Sequence, residues 1–271
     1  MMKLNEIMLA LERIAPLRLA ADWDSVGLLV GNHTATIKNV LVCLTLTEAV
    51  AQEAIQKKID LIVSHHPLPF QPVAKITDGS PTGRILLALT GNQIAVWSSH
   101  TAWDSAPSGI NDLLADQAGL QSVLPIEPDS LDATMGIGRM GDAPQDFSVA
   151  DLAKVLMDSL KQADRSVTVI GCQIAGDGTD PAGKVGIVCG SGGGMIHATR
   201  TAGCNTFITG ELKLHEALEA TASGVNVIAL GHHMSERFSM DVLAKRLNKS
   251  CPSITCMVSC QDVDPFNWFA C

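Results

Sequence analysis

The sequence predicts an α/β protein built of two lobes with mixed, mainly parallel sheets. Short, nearly continuous runs of Val, Ile and Leu recur along the chain, as is typical of strands buried on both faces. Amphipathic helical stretches alternate with these runs, which is the pattern of βαβ units. Of the 271 residues, 46% are hydrophobic and 17% are charged, so the chain can bury a large core and is not disordered.

The first predicted element is a helix over 4–14, because apolar residues recur there at three- and four-residue spacing and Pro16 ends the pattern. A turn at 22–27 follows, and strands and helices then alternate. The predicted strands of this part are 40–47, 60–64 and 94–98, and its predicted helices are 48–57 and 82–90. The first half of the chain therefore predicts one α/β lobe.

A polar stretch with two prolines, 121–129, predicts the seam between the lobes. The predicted strands beyond it are 133–140, 167–170, 185–189, 206–208, 225–230 and 253–258. The predicted helices are 149–160, the stretch from the glycine run 190–194 to Arg200, 214–222 and 235–247. We expect the closing segments to return to the first lobe. The predicted first lobe, which carries the candidate metal ligands, is therefore 1–125 with 230–271, and the second is 126–229.

The balance of charges and the composition of individual segments argue against several classes of protein. The chain has 19 Lys and Arg against 28 Asp and Glu, a net charge of −9, whereas general nucleic-acid binding needs an excess of basic residues. No stretch approaches the roughly 18 consecutive apolar residues of a membrane span. The opening residues lack the basic start of a signal peptide, and the eight cysteines contain no C-x-x-C pair. We expect a soluble, cytoplasmic protein without a membrane partner.

Three predicted strands each run into histidine, and two of these histidines have a carboxylate four residues later. Ligands bind beyond the carboxyl ends of the strands in open α/β sheets, so the three strand ends can converge on one place. The residues that one site can collect in this way are His65, His66, His100, Asp104, His232 and Glu236.

This set of donors predicts a centre with two metal ions. Imidazole nitrogens with carboxylate oxygens, and no thiolate, suit a borderline divalent ion such as Zn, Mn, Fe, Co or Ni. Successive side chains at a strand end point to opposite sides, so His65 and His66 are better placed for two ions than for one. His232 and Glu236 share a helical face. Two carboxylates among the ligands can bridge a pair of ions and offset the repulsion between them.

Each part of this pattern has a commoner explanation when it stands alone. A His-His pair is usually structural or solvent-exposed, His232 with Glu236 is more often a pair on a helix surface, and His100 with Asp104 is consistent with a cap or a turn. Their joint placement at three strand ends favours metal binding. The glycine run 190–194 is either a weak phosphate cradle or a tightly packed turn, because it has neither the Walker spacing nor G-x-G-x-x-G.

Motifs in the same order extend over nearly the whole chain and resemble those of a known family. They are Asp22-Trp23-Asp24 within 19–31, Ser64-His65-His66-Pro67 within 64–70, the segment 100–112, Thr209-Gly210-Glu211 followed by His215, and Gly231-His232-His233 within 231–236. The sequence is similar here to the Ngg-interacting-factor-three-like (NIF-three-like) proteins, also called GTP cyclohydrolase 1 type 2 homologues. The resemblance implies two α/β lobes in the short form, without a central insertion. It also implies a toroidal homohexamer with dinuclear metal centres facing its cavity.

The resemblance also implies the residues that hold the metals and the activity that they support. The implied ligands of two divalent ions per subunit are His65, His66, Asp104, His232 and Glu236. A hydrolase that acts on a small molecule with a metal-activated water is then expected, and the family name suggests a nucleotide, GTP. His100 or His215 would carry the proton, since imidazole titrates near neutral pH.

Two other functions stay open at this point. One is a non-catalytic, metal-stabilised hexameric scaffold or regulatory factor that binds other proteins, and the other is metal handling or storage. A hydrolase should lose turnover when Asp104 is replaced by Asn, whereas a scaffold should keep its partner binding in the same variant.

Overall fold

The computed structural model describes residues 1–164 and 171–267, which divide into two compact units. The first unit is Met1–Trp103 with Ser239–Val263, and the second is Asp104–Phe238 with the residues from Asp264 onward. The sequence-based division placed 104–125 and 230–238 in the first lobe, whereas the contacts assign both stretches to the second unit. The predicted ligands are therefore divided, with His65 and His66 in one unit and Asp104, His232 and Glu236 in the other.

The described helices and strands follow one another in an α/β order. Up to residue 105 they are β1 (Met2–Lys3), α1 (Leu4–Ile14), β2 (Gly27–Val30), β3 (Thr36–Ile37), β4 (Asn39–Cys43), α2 (Glu48–Gln56), β5 (Leu61–Ser64), α3 (Pro81–Gly91), β6 (Ala95–Ser98) and α4 (His100–Ser105). After it they are α5 (Ile110–Gln117), β7 (Gln121–Leu124), β8 (Glu127–Pro128), β9 (Gly136–Ile137), β10 (Arg139–Asp142), α6 (Val149–Ala163), β11 (Gln173–Ala175), β12 (Lys184–Val188), α7 (Ile196–Thr201), β13 (Thr206–Thr209), α8 (Leu214–Ala222), β14 (Asn226–Ala229), α9 (His232–Glu236), α10 (Ser239–Ser250) and β15 (Thr255–Val258).

The first unit is built on a five-stranded sheet in the order β15-β4-β5-β6-β2. The first four strands are parallel, and β2 is antiparallel to β6 at the edge. Every residue of β5 and β6 is buried, which explains why these strands read as continuous apolar runs. The predicted strands around 40, 60 and 94 and the predicted helices at 4–14, 48–57 and 82–90 are confirmed. Helix α2 begins where the Thr47 side chain accepts a hydrogen bond from the Val50 N–H.

The second unit is built on a six-stranded sheet in the order β11-β14-β13-β12-β10-β7. Its central strands β14, β13 and β12 are parallel, and the outer strands are antiparallel to their neighbours. The stretch predicted as a seam contains β7, which forms an edge of this sheet. Both main sheets are mixed, so the predicted α/β class is confirmed.

Several predicted boundaries differ from the structure. The predicted strand 133–140 is interrupted by Gly138, which has a φ of +63°, so β9 and β10 belong to different sheets. The predicted helix 235–247 is two helices, α9 and α10. The predicted strand 167–170 lies outside the described residues. None of the helices within 1–164 and 171–267 is long and apolar enough to cross a membrane.

Two buried charged residues hold connections within the units. In the second unit the Arg139 guanidinium, which is 1% exposed, donates to the Asp112 carboxylate and to the carbonyls of Gly136, Ser105 and Ala106. Arg139 thus fixes the loop between α4 and α5 against β10, the strand next to the edge of the sheet.

In the first unit Glu53 of α2 accepts hydrogen bonds from the Ser259 hydroxyl and from the N–H and thiol of Cys260. Lys57 also pairs with Glu53 at 2.7 Å. Burial raises the pKa of Glu53, but the hydrogen bonds from Cys260, Lys57 and Ser259 lower it more, to about 2. An ionised Glu53 therefore ties the segment after β15 to α2.

Candidate metal centre

The adjacent histidines of the first unit are fixed by the parallel sheet. His65 and His66 follow β5, and their N–H groups donate to the carbonyls of Cys43 and Leu44, both at 2.9 Å, beside the end of β4. The hydrogen-bonded ladder therefore continues past the strand and sets the direction of both side chains. His65 is 2% exposed. The Ser98 hydroxyl at the end of β6 donates to the His65 carbonyl at 2.6 Å, which joins the ends of two parallel strands.

These two side chains form a cluster with His100, which we call the histidine triad. One ring nitrogen from each of His65, His66 and His100 lies within 4.8 Å of the other two. The ring centroids are 5.0, 5.1 and 5.6 Å apart, and the rings are inclined to one another by 54 to 82°. Three protonated rings would repel one another at this separation, whereas neutral imidazoles can share a cation. The structure thus brings together three of the histidines that follow predicted strands.

The Nδ1 atoms of two triad histidines contact oxygen atoms. His100 Nδ1 lies 2.8 Å from Asp24 Oδ1, and His66 Nδ1 lies 2.8 Å from the Thr45 hydroxyl. A neutral imidazole that donates from Nδ1 carries its lone pair on Nε2, and metal-binding histidines in proteins are oriented in this way. The partners therefore suit two histidines that present Nε2 to a cation.

Asp24 is a buried anion that orients the start of α4. Its second oxygen accepts hydrogen bonds from the N–H and the hydroxyl of Thr101, at 3.1 and 2.6 Å. Burial raises the pKa of Asp24, but hydrogen bonds from His100 and Thr101 bring it below its ordinary value. These bonds also hold His100 at a φ of +26°, an unusual backbone conformation for a residue with a side chain.

The second unit contains another group of predicted ligands, Asp104, His232 and Glu236, which we call the carboxylate cluster. His232 Nε2 lies 3.2 Å from Glu236 Oε2, and its Nδ1 lies 3.0 Å from Glu211 Oε1. The Ser191 hydroxyl donates to the same Glu211 oxygen at 2.7 Å. The hydrogen bond to Glu236, aided by Glu211 and opposed by burial, raises the pKa of His232 to about 9. His232 thus repeats the pattern of an oxygen partner at Nδ1.

Asp104 is held by residues on both sides of its carboxylate. Its carbonyl accepts from the Asn111 amide at 3.1 Å, and its Oδ1 accepts from the Cys189 thiol at 3.3 Å. The Cys189 N–H in turn donates to Asn111 Oδ1 at 2.8 Å. Burial, together with the charges of Asp104 and Glu236, raises the pKa of Cys189 well above its ordinary value. The negative charges of both carboxylates therefore help to keep the Cys189 thiol, which follows β12, in its protonated form.

Gly190 leaves the space that the cluster occupies. Its φ is +60°, and a Cβ at this position would overlap Glu236 Oε1 and lie 3.2 Å from His232 Nε2. Further along the glycine run, the Gly192 N–H donates to the Thr209 hydroxyl at 3.1 Å, and a Cβ at Gly193 would overlap the Glu216 carboxylate. Carboxylates packed against these glycines favour the tightly packed turn over the phosphate cradle.

Both groups match the chemistry of a borderline divalent cation, because they offer imidazole nitrogens and carboxylate oxygens. That the five predicted ligands share one centre stays a prediction. His215 is an exposed residue in the first turn of α8 and belongs to neither group. Sequence reasoning assigned no orienting role to the residues that hold the ligands, although three of them lie in the motifs, because most of their contacts span long sequence separations; they are Asp24, Thr45, Asn111, Cys189 and Glu211.

Known proteins are similar to this chain over almost all of its length. The family model of Duf34/NIF3 (NGG1p interacting factor 3) matches residues 2–265. A "GTP cyclohydrolase 1 type 2 homolog" of Clostridium perfringens is 31% identical over 268 residues, covering 98% of this chain and 100% of the relative. "NIF3-like protein 1" of Drosophila melanogaster is 34% identical over 269 residues, covering 97% of this chain and 88% of the relative.

Solved structures show the same fold. A Bacillus cereus protein related to NIF3 superposes with a TM-score of 0.90 at 21% identity, and 99% of each chain is covered. A hypothetical protein of Staphylococcus aureus superposes with a TM-score of 0.89 at 26% identity, again with 99% of each chain covered. The agreement of the family model, the full-length relatives and the fold shows that the chain belongs to the Duf34/NIF3 family.

Proposed function

We propose that the protein binds two divalent metal ions per subunit and hydrolyses a small molecule with a metal-activated water. The histidine triad carries the proposal, since it places the adjacent ligands His65 and His66 beside the proton carrier His100, with ring nitrogens within 4.8 Å of one another. The proposed ligands are His65, His66, Asp104, His232 and Glu236. Bound as a pair, the ions supply an activated water and polarise the bond that is broken.

The side chains of this site bind, orient and transfer protons. Asp24 fixes the ring of His100 through Nδ1, so that Nε2 can accept a proton from an attacking group and return it to a leaving group. His215 is the second proposed proton carrier. Cys189 contacts the carboxylate of Asp104 and Asn111 its main-chain carbonyl, so together they orient a side chain that would hold an ion.

The proposed substrate is a nucleotide, with GTP as the first candidate. Support comes from the names of several full-length relatives, which are called GTP cyclohydrolase 1 type 2 homologues. The homohexamer implied by the resemblance stays a prediction, which light scattering of the purified protein can test.

Elemental analysis and a substrate screen test the proposal together. Protein purified without chelator should contain about two ions per subunit, and the metal-loaded protein should turn over GTP or another member of a panel of nucleotides, phosphoesters and cyclic amides. Asp104→Asn should lose ions and turnover, whereas Asp116→Asn, an exposed position on α5, should keep both. A protein that takes up no divalent ions, or an Asp104→Asn variant with full turnover, would contradict the proposal.

A further inference from the structure

Two exposed aromatic side chains stand beside the histidine triad. Trp23 is 66% exposed and Phe70 is 52% exposed. The centroid of the His100 ring lies 6.0 Å from that of Trp23 and 6.2 Å from that of Phe70, and both contacts are edge-to-face. The two aromatic rings thus border the triad within one unit.

The rings of Trp23 and Phe70 are not stacked on each other. Their centroids are 6.2 Å apart and their planes are inclined by 49°, so neither ring covers the face of the other. By contrast, Trp97 and Trp103 are each only 1% exposed. Leaving two large aromatic side chains in water beside a polar cluster forgoes the stabilisation that burial would give, and such exposed apolar groups often mark binding sites.

Hydrogen bonds on both sides hold Trp23 in place. The Asp24 N–H donates to the Ala21 carbonyl at 2.9 Å and closes a turn with Trp23 at its tip. The Ala21 N–H donates to the Thr101 hydroxyl at 3.0 Å, and the Asp24 carboxylate binds His100 and Thr101. The turn is therefore attached at both ends to the segment that begins α4, so the fold fixes the backbone from which the Trp23 ring projects.

Aromatic side chains of this kind bind flat aromatic rings by stacking. Indole has two fused rings, which match a purine in area, and stacking of a base on an aromatic side chain is sequence-tolerant because every base has a π-face. A ring seated on Trp23 lies beside His100, so the polar groups of the same ligand can reach the triad.

We infer that Trp23 and Phe70 form a stacking surface for a fused heteroaromatic ring of purine size, carried by the substrate of the adjacent site. The inference rests on the proposed function, since it names the class of substrate that this site takes. It assigns Trp23 and Phe70 as residues that determine specificity, separate from the metal ligands.

Calorimetric titration of the full-length protein with inosine tests the inference, with ribose as the matched probe that lacks the heteroaromatic ring. Trp23→Leu and Phe70→Leu should each weaken inosine binding about tenfold or more, while Trp23→Phe retains most of it. Phe266→Leu is the matched control, because Phe266 is 76% exposed and belongs to the other unit. Ribose should give no measurable heat with any of these proteins.

Other results would overturn the inference. The inference is overturned if inosine fails to bind the wild-type protein at millimolar concentration. It is also overturned if inosine binds the Trp23→Leu and Phe70→Leu variants as tightly as it binds the wild-type protein. A change of oligomeric state in these variants, with inosine binding unaltered, would assign the two rings to contacts between copies of the chain. Metal content is measured in the same samples. A wild-type protein that contains no metal would count against the proposed function. A protein with normal metal content that binds inosine equally well with and without the two substitutions would count against the stacking surface alone.

Discussion

Replacing Gly190 by alanine tests whether Glu236 is a metal ligand without altering Glu236 itself. The new Cβ would overlap Glu236 Oε1 and lie 3.2 Å from His232 Nε2. Oε1 is the far end of a flexible side chain, so the overlap can be relieved by moving the carboxylate. The fold should therefore tolerate the methyl group, while the geometry of the cluster should not.

The substitution should lower the stability of the fold only slightly and the metal affinity strongly. Alanine at the Gly190 φ of +60° costs about 1–2 kcal/mol of stability, because side chains disfavour the left-handed region. To reach an ordinary contact distance the carboxylate must move by about 1 Å, whereas metal ligands tolerate deviations of only about 0.2 Å. Changes to groups that merely support ligands cost about 10- to 100-fold in metal affinity. Displacing a ligand should cost about 100-fold or more, equivalent to about 2.7 kcal/mol.

Gly203→Ala provides the matched control. Gly203 has a φ of +82°, and a Cβ there would meet nothing within 4 Å, so this variant carries the backbone strain without the overlap. Thermal denaturation of the metal-free proteins should show similar losses of stability for both variants. Competition with a chelator should show weakened zinc or manganese binding for Gly190→Ala alone. Equal metal affinity in the two variants would refute the reasoning and remove Glu236 from the ligands.

Three further perturbations follow from buried charges. Arg139→Met should lower the free energy of unfolding, measured by urea denaturation, by about 3 kcal/mol or more. The reason is that the Asp112 carboxylate and several carbonyls lose the guanidinium that donates to them. A loss below about 1 kcal/mol would show that the fold does not need the guanidinium. The pKa of Glu53 is about 2 in the fold, below its ordinary 4.5, so its stabilising effect is complete above pH 4.5 and disappears as the pH falls toward 2. Glu53→Gln should flatten the stability curve in that range, and an unchanged curve would contradict this origin. Asp24→Asn should lower turnover of the metal-loaded protein about 100-fold by disturbing the orientation of His100, the proposed proton carrier, while metal content stays unchanged, and turnover equal to that of wild type would be the contrary result.

The sequence predicted the elements that are buried on both faces and missed those whose pattern depends on a partner. Strands β4, β5 and β6 are composed of continuous apolar residues, so their burial is visible in the sequence itself. Strand β7, with the exposed residues Gln121 and Ser122, reads as a polar linker and becomes a strand only because β10 pairs with it. The tertiary contact with β10 makes β7 a strand, and the composition of residues 121–124 does not reveal this contact.

The same distinction applies to the candidate site. The apolar runs in the sequence show where the buried strands end, so the histidines that follow them could be identified as candidate site residues. The histidine triad consists of three of these residues. The oxygen that contacts Nδ1 of His66 belongs to Thr45, 21 residues earlier, and the one that contacts Nδ1 of His100 belongs to Asp24, 76 residues earlier. No local spacing encodes such pairs. They depend on which loops the sheet brings side by side.

The orienting contacts of the histidines share one feature in the two units. His66, His100 and His232 each contact an oxygen through Nδ1, although the partners are a hydroxyl in one case and carboxylates in the others and the residues belong to two units. A hydrogen bond at Nδ1 fixes the plane of the ring, as it does in metal-binding histidines. Because a hydroxyl and two carboxylates make the same contact, the shared feature is the ring orientation that they enforce.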